Sequence, residues 1–181
     1  YEVSEFETEL DWSAWPGAAG GFQGAVEMCN NNGACRKLKG GVMCPSFRAT
    51  RNERDATRGR ANTLRFAISG QMPGGLTGDA MAETMKYCVS CKACRHECPT
   101  GVDMARMKIE VLAARRRENG LSFAEKLVAY LPRYAPKAAH VAWLMNLRNK
   151  LAPVRKLTES LTGVSHRRDL PVWSANPFRD D

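Results

Sequence analysis

At 181 residues, 44% of them hydrophobic, the chain is long enough for one domain with a real core. It has no apolar run of the roughly 18 residues a membrane span needs; its richest stretch, Val141-Ala142-Trp143-Leu144-Met145, is far shorter. The formal charge of +8 first suggests nucleic acid, but it is unevenly placed: residues 1–20 carry five acids and no base, while residues 101–168 carry fourteen Lys or Arg against five acids. Such a basic face also suits anionic lipid headgroups, an acidic partner, or an anionic cofactor held by the chain itself. No basic segment followed by an apolar one marks a signal peptide. Tyr1-Glu2-Val3-Ser4 reads as the middle of a longer polypeptide, or as a trimmed end.

In chain order, residues 1–20 alternate acids with Phe6, Leu10, Trp12 and Trp15 and break at Pro16-Gly17. This pattern predicts an extended connector that docks by its aromatics. Residues 21–28 predict a short helical turn leading into Cys29. Thr50 followed three residues later by Glu53 has the form of a capping box, so a helix is expected from there toward Ser69, with Gly59 as a break. Pro73, Gly74, Gly75 and Gly78 mark a loop, and Asp79 to Tyr87 a helix that delivers Cys88. Asp103 is a good N-cap for a helix over 104–119, closed by Gly120. Its Met104, Met107, Val111 and Ala114 fall on one side, as a core stripe does. Ser122 and Glu125 form a second capping-box pattern, opening a helix that presents Phe123, Leu127, Val128 and Leu131 and stops at Pro132. A further helix is expected over 136–151 and a shorter one over 154–161, ending at Gly163. The tail, with Pro171 and Pro177, reads as a linker or frayed end. Strand signals are nearly absent, so the fold class expected is all-α.

Seven cysteines are too many to be incidental. Disulfides are disfavoured: the count is odd, nothing signals secretion, and Cys88, Cys91, Cys94 and Cys98 crowd together along the chain. Residues 88–99 spell C-x2-C-x2-C-x3-C-P, the run used by bacterial four-iron clusters. Three thiolates two residues apart wrap one corner of a cube. The fourth iron needs a thiolate from elsewhere, and the cysteine before proline serves another cluster. A half-motif precedes it: Cys29, Cys35, then Cys44-Pro45. By the same pairing, Cys44 joins Cys88, Cys91 and Cys94 in a first 4Fe-4S cluster, and Cys98 joins Cys29 and Cys35. Asn32 stands where a middle cysteine would fall, leaving the second set one thiolate short. Three readings of that set stay open: a 3Fe-4S cluster, a 4Fe-4S cluster with one non-cysteine ligand, or buried free thiols.

His96, between two cysteines, reads as a hydrogen-bond donor to sulfur or a solvent-facing residue, with iron ligation the lesser alternative because the first site already has four thiolates, and His140 and His166 read as surface residues with no partner nearby in sequence. Arg48, Arg51, Arg54, Arg58, Arg60 and Arg65 carry two readings: a solvated face paired with Glu53 and Asp55, or a shell that offsets cluster charge or docks another domain. No catalytic triad, paired catalytic carboxylates or phosphate loop is visible, so no catalytic residue is assigned.

The blocks 28–30, 35–37, 41–47, 57–62, 88–99 and 101–104 resemble the iron–sulfur segment of bacterial FAD-linked oxidases, fusions of a flavin D-2-hydroxyacid (D-lactate, D-2-hydroxyglutarate) dehydrogenase with an iron–sulfur part related to the glycolate oxidase iron–sulfur subunit. The resemblance covers about residues 20–165. It implies a helical ferredoxin-like domain over 21–120, additional C-terminal helices packing on it over 121–165, a connector from a preceding flavin domain over 1–20 and a linker or tail over 166–181. It also implies a one-electron relay between a flavin dehydrogenase and a downstream cysteine-rich domain or acceptor. FAD is then expected only on a neighbouring domain or subunit, the setting is cytoplasmic, and nucleic acid is no partner. The basic face leaves a peripheral membrane contact in view. The runner-up is a zinc-stabilised, basic nucleic-acid-binding module using the same cysteines as structural ligands.

Overall fold

Helix starts and stops written in the sequence account for most of the architecture. The computed structural model describes residues 7–15 and 20–176, and among these it contains ten helices and no strand. The all-α expectation holds. The chain divides into two compact units, Tyr1–Gly120 and Leu121–Asp181.

In the first unit, α1 (Gly21–Glu27) buries Phe22, Ala25 and Val26 and packs on α3 (Thr57–Ile68). Helix α3 in turn packs on α4 (Asp79–Lys86) and α6 (Met104–Asn119). Met104, Met107 and Val111 of α6 are buried, as their spacing predicts. Asp103 caps α6 by accepting the Arg106 N–H at 3.0 Å, and Gly120 ends it.

The segment before α1 docks on this same unit. Trp12 is buried against Trp15 and Phe22, with ring centroids 5.1 and 5.0 Å away. Arg106 of α6 lies over both tryptophan rings. Glu110, buried in the middle of α6, accepts hydrogen bonds from the Glu9 and Leu10 N–H groups and from Trp12 Nε1, at 2.9, 2.8 and 2.8 Å. Phe6 and the break at Pro16-Gly17 lie outside the described residues.

The expected capping box at Thr50 does not form. A short helix, α2 (Pro45–Thr50), starts directly after Cys44 with Pro45 in its first turn, where a missing N–H costs nothing. The Thr50 hydroxyl instead donates back to the Ser46 carbonyl at 3.1 Å. Asn52 caps the next element, a single 3-10 turn over Glu53–Asp55. Nor does Gly59 break α3. A Cβ at this position would lie 2.0 Å from the Glu53 carbonyl oxygen, so glycine is what lets the turn close onto the helix.

In the second unit, α7 (Phe123–Ala129) opens with the expected Ser122/Glu125 capping box. Helix α8 (Leu131–Ala139) takes Pro132 into its first turn and continues through Pro136, and α9 (Ala142–Lys150) follows after a break at His140 and Val141. The single helix expected over 136–151 is therefore two. Helix α10 (Ala152–Thr162) ends at left-handed Gly163. The irregular stretch after it is anchored rather than frayed. Asn146 and Asn149 each exchange two hydrogen bonds with the backbone of Trp173 and Leu170. Buried Arg148 donates to the carbonyls of Ser165 and Arg168. His166, expected to be unpartnered, contacts the Glu159 carboxylate. That contact holds the Glu159 carboxyl below its ordinary range. Pro177 lies outside the described residues. Among the described residues no helix is long and apolar enough to cross a membrane.

Candidate metal centre

Two loops and one helix end bring the cysteines together. Helix α4 ends at Lys86, and the Cys88 N–H closes its last turn on the Met85 carbonyl. The backbone then passes through left-handed Ser90 and Lys92 before α5 (Ala93–Glu97), which carries Cys94. Such alternation curls a backbone into the concavities that hold phosphates and iron–sulfur clusters. Cys44, itself left-handed, sits at the start of α2. All seven cysteines are free thiols; Cys29, Cys35, Cys44 and Cys94 are buried, Cys88 and Cys98 half-buried, and Cys91 exposed.

Cys44, Cys88, Cys91 and Cys94 line one pocket, open to solvent, together with Thr57, Arg60 and the first residues of α6. The fold thus brings together Cys44 and Cys88, which are 44 positions apart in the chain. Among the described residues no three His, Cys, Asp or Glu groups stand close enough to hold a single metal ion. A four-iron cube keeps its thiolates farther apart than one tetrahedral zinc does. Four cysteines lining one pocket are the number of thiolates that such a cube uses.

The protein supplies donors and counter-charge to these sulfurs. Cys44 Sγ lies 3.7 Å from Arg60 Nη1 and 3.7 Å from the Thr57 hydroxyl, and itself points at the Asp55 carbonyl 3.3 Å away. Burial pushes the Cys94 thiol up to about 11, against the opposing pull of the Met104 and Ala105 N–H groups at the start of α6. Those N–H groups are the ones a helix leaves free at its N-terminus, and they favour a thiolate.

The second set comes from the stretch after α1 and from the end of α5. Cys35 lies in a 3-10 turn over Ala34–Arg36, and its sulfur accepts the Arg58 N–H at 3.4 Å. Burial raises its pKa; that N–H opposes the shift, and the nearby charges of Cys44, Cys29 and Glu53 add to it. Cys98 lies near Asn32 of the same loop. Burial acts to raise the Cys98 pKa, but hydrogen bonds from the Thr100 hydroxyl, the Val102 and Thr100 N–H groups and Asn32 outweigh it, and the net shift is downward. Asn32 is meanwhile held by its own loop, accepting the Ala34 N–H at 2.8 Å and donating to Asn30 Oδ1 at 2.6 Å.

Three features carry no signal in the sequence pattern. Glu97, between Cys94 and Cys98, accepts the Val42 and Met43 N–H groups at 2.6 and 2.9 Å, tying the loop before Cys44 to the other cysteine run. Those two hydrogen bonds hold its carboxyl below the ordinary range. Buried Glu110 is the second. The third is the division of labour among the arginines. Arg58 and Arg65 brace the Cys29–Cys35 loop through the carbonyls of Asn31 and Cys29, Arg60 is buried at Cys44, and Arg54 forms surface ion pairs. The run is thus divided between surface ion pairs and contacts to the cysteine loops. His96 is exposed.

Residues 25–102 match the 4Fe-4S dicluster domain. All seven cysteines fall inside that match. Over 84% of its length the chain is 26% identical to a D-2-hydroxyglutarate dehydrogenase of Escherichia coli (strain K12) and 25% identical to one of Haemophilus influenzae. A Pantoea ananatis D-2-hydroxyglutarate dehydrogenase is 25% identical over 85% of the chain. In each case the chain spans 18% of the length of the relative. No solved structure gives a significant match. The chain is thus an all-α iron–sulfur segment similar to part of these dehydrogenases, and its role is iron–sulfur electron transfer.

Proposed function

We propose that this chain relays electrons one at a time from a flavin outside it, where a D-2-hydroxyacid is oxidised, to a downstream acceptor. Cys44, Cys88, Cys91 and Cys94 hold the first 4Fe-4S cluster in this reading, and Cys29, Cys35 and Cys98 are the protein ligands of the second. The single observation that supports it best is the pocket shared by the four cysteines of the first set, two distant stretches of chain supplying one donor set. A 4Fe-4S cluster, when bound, supplies a centre that gains and loses single electrons without bond making. Oxidation of a 2-hydroxyacid to the 2-oxo acid releases two electrons and two protons. The protons leave at the flavin site, and the relay passes each electron in turn, twice per substrate.

The residues of this chain give the relay its shape. Exposed Cys91 puts one edge of the donor set at the surface, where electrons can enter or leave. Buried Cys44 of the first set is close enough to buried Cys35 of the second for its charge to act on it. Residues 1–20 are read as the exit from the flavin domain and the chain after 165 as the way to the acceptor, in a reducing, cytoplasmic setting. Anaerobic reconstitution of the full chain tests this reading. It should take up iron and sulfide, turn brown, and bleach when reduced flavin is added. Cys44→Ala should lose the iron of the first cluster and part of the fold's stability, because metal binding and folding are coupled. Full iron, sulfide and colour in Cys44→Ala would refute the ligand assignment.

A further inference from the structure

Arg60 differs from the other arginines of its segment. It is 1% exposed. Its Nε donates to the Thr84 carbonyl at 3.0 Å, its Nη2 to the Ser46 hydroxyl at 3.1 Å, and its Nη1 lies 3.7 Å from Cys44 Sγ. It also lines the pocket of the four cysteines. Among the described residues it makes no ion pair with a carboxylate. The buried acid of this region, Asp55, stands 4.0 Å from Arg54 instead. A guanidinium remains charged in a protein interior. Buried without a counter-ion, it carries a heavy desolvation cost. Asp55, though buried nearby, is not within ion-pair distance of Arg60, and the pocket that Arg60 lines with the four cysteines is where an anionic partner would meet it.

We propose that the counter-charge of Arg60 is the anionic first cluster itself, and that Arg60 raises the cluster's reduction potential and secures it in the pocket. This rests on the assignment of Cys44, Cys88, Cys91 and Cys94 as ligands. Reduction adds one electron and no proton to the centre, so its negative charge grows by one. A fixed positive charge in a buried setting stabilises the reduced form more than the oxidised form. A donor aimed at a ligand sulfur acts in the same direction. Arg60 does this from a fixed mount: its contacts tie α3 to the start of α2, directly after Cys44, and to α4, which precedes Cys88.

The bland account is that Arg60 only staples those helices. The full chain, reconstituted without oxygen and titrated with dithionite under EPR, separates the two. Arg60→Gln keeps hydrogen-bond donors but removes the charge. It should shift the one-electron equilibrium toward the oxidised cluster by about tenfold or more, a fall of about 59 mV for a one-electron couple. Arg60→Lys keeps the charge and should stay close to the parent potential, and so should the surface variant Arg54→Gln. Loss of the cluster from Arg60→Gln but not from Arg60→Lys would also support the charge role. An unchanged potential in an iron-replete Arg60→Gln overturns it. So does loss of the cluster from both variants while the chain stays helical, which leaves only the staple. A parent chain that takes up no iron or sulfide defeats the ligand assignment and this proposal together, whereas a loaded parent with an unshifted Arg60→Gln defeats the proposal alone.

Discussion

Four of the five non-glycine residues with positive φ, namely Asn31, Cys44, Ser90 and Lys92, lie inside the cysteine motifs. Left-handed backbone is unfavourable for such side chains and persists where surrounding structure enforces it. Here it bends each loop so that cysteines two or three residues apart face the same side. Asn32 sits within one of these loops, near Cys98. If Cys29, Cys35 and Cys98 form the second ligand set proposed above, a cysteine in its place supplies the missing fourth thiolate. Asn32→Cys should bind more iron and sulfide than the parent on anaerobic reconstitution and show a second four-iron EPR signal on reduction. The lost Ala34 N–H contact costs about 1 kcal/mol, too little to mask that gain. Unchanged iron and EPR would mean that these three cysteines are not a linked set. The cysteine pattern is legible in sequence because ligand spacing is a short-range property. The fate of each arginine is not: Arg54 and Arg60 look alike in the sequence, and only the packing of α3 against α4 decides which is buried.

Among the elements, α6 does the most to organise the first unit. It buries a methionine stripe, offers the N–H groups of Met104 and Ala105 to Cys94, and fastens the N-terminal segment through Glu110. Its start, end and apolar stripe were readable from Asp103, Gly120 and the spacing of Met104, Met107 and Val111. Glu110 was not, because a carboxylate inside a core stripe is explained only by the three donors that fold onto it. The two capping-box patterns teach the same point. Ser122/Glu125 forms because nothing competes for the serine, whereas the Thr50 hydroxyl is already committed to the Ser46 carbonyl by a helix that begins at Pro45. Removing the Glu110 acceptor strands three donors at once. Glu110→Ala should destabilise the first unit by about 3 kcal/mol, within the range for unsatisfied buried groups, read as a lowered urea midpoint. Glu110→Gln, which keeps one acceptor oxygen, should lose less. Equal midpoints for parent and Glu110→Ala would show that the docked segment adds nothing to stability.

For the whole molecule, charge is the property that reaches beyond the pocket. The chain carries a formal +8. Lys92 lines the cysteine pocket and is exposed, as is Cys91 beside it, so an approaching redox partner meets positive charge at the exposed edge of the donor set. An anionic cluster, once bound, subtracts only part of this excess. Long-range attraction of that kind acts on encounter rates and is screened by salt, over a Debye length of about 30 Å at 0.01 M and about 3 Å at 1 M. The reduced, reconstituted chain should therefore be oxidised by anionic ferricyanide several-fold more slowly at high salt than at low salt. A cationic cobalt complex should show the opposite trend. Stopped-flow bleaching of the visible band reads both rates. The pair of reagents matters, because a general effect of salt on the fold would move both rates in one direction, while steering by the basic surface moves them apart. Parallel salt dependence for the two oxidants would sink the idea that this surface guides electron partners, and would leave the positive charge to a local duty beside the clusters.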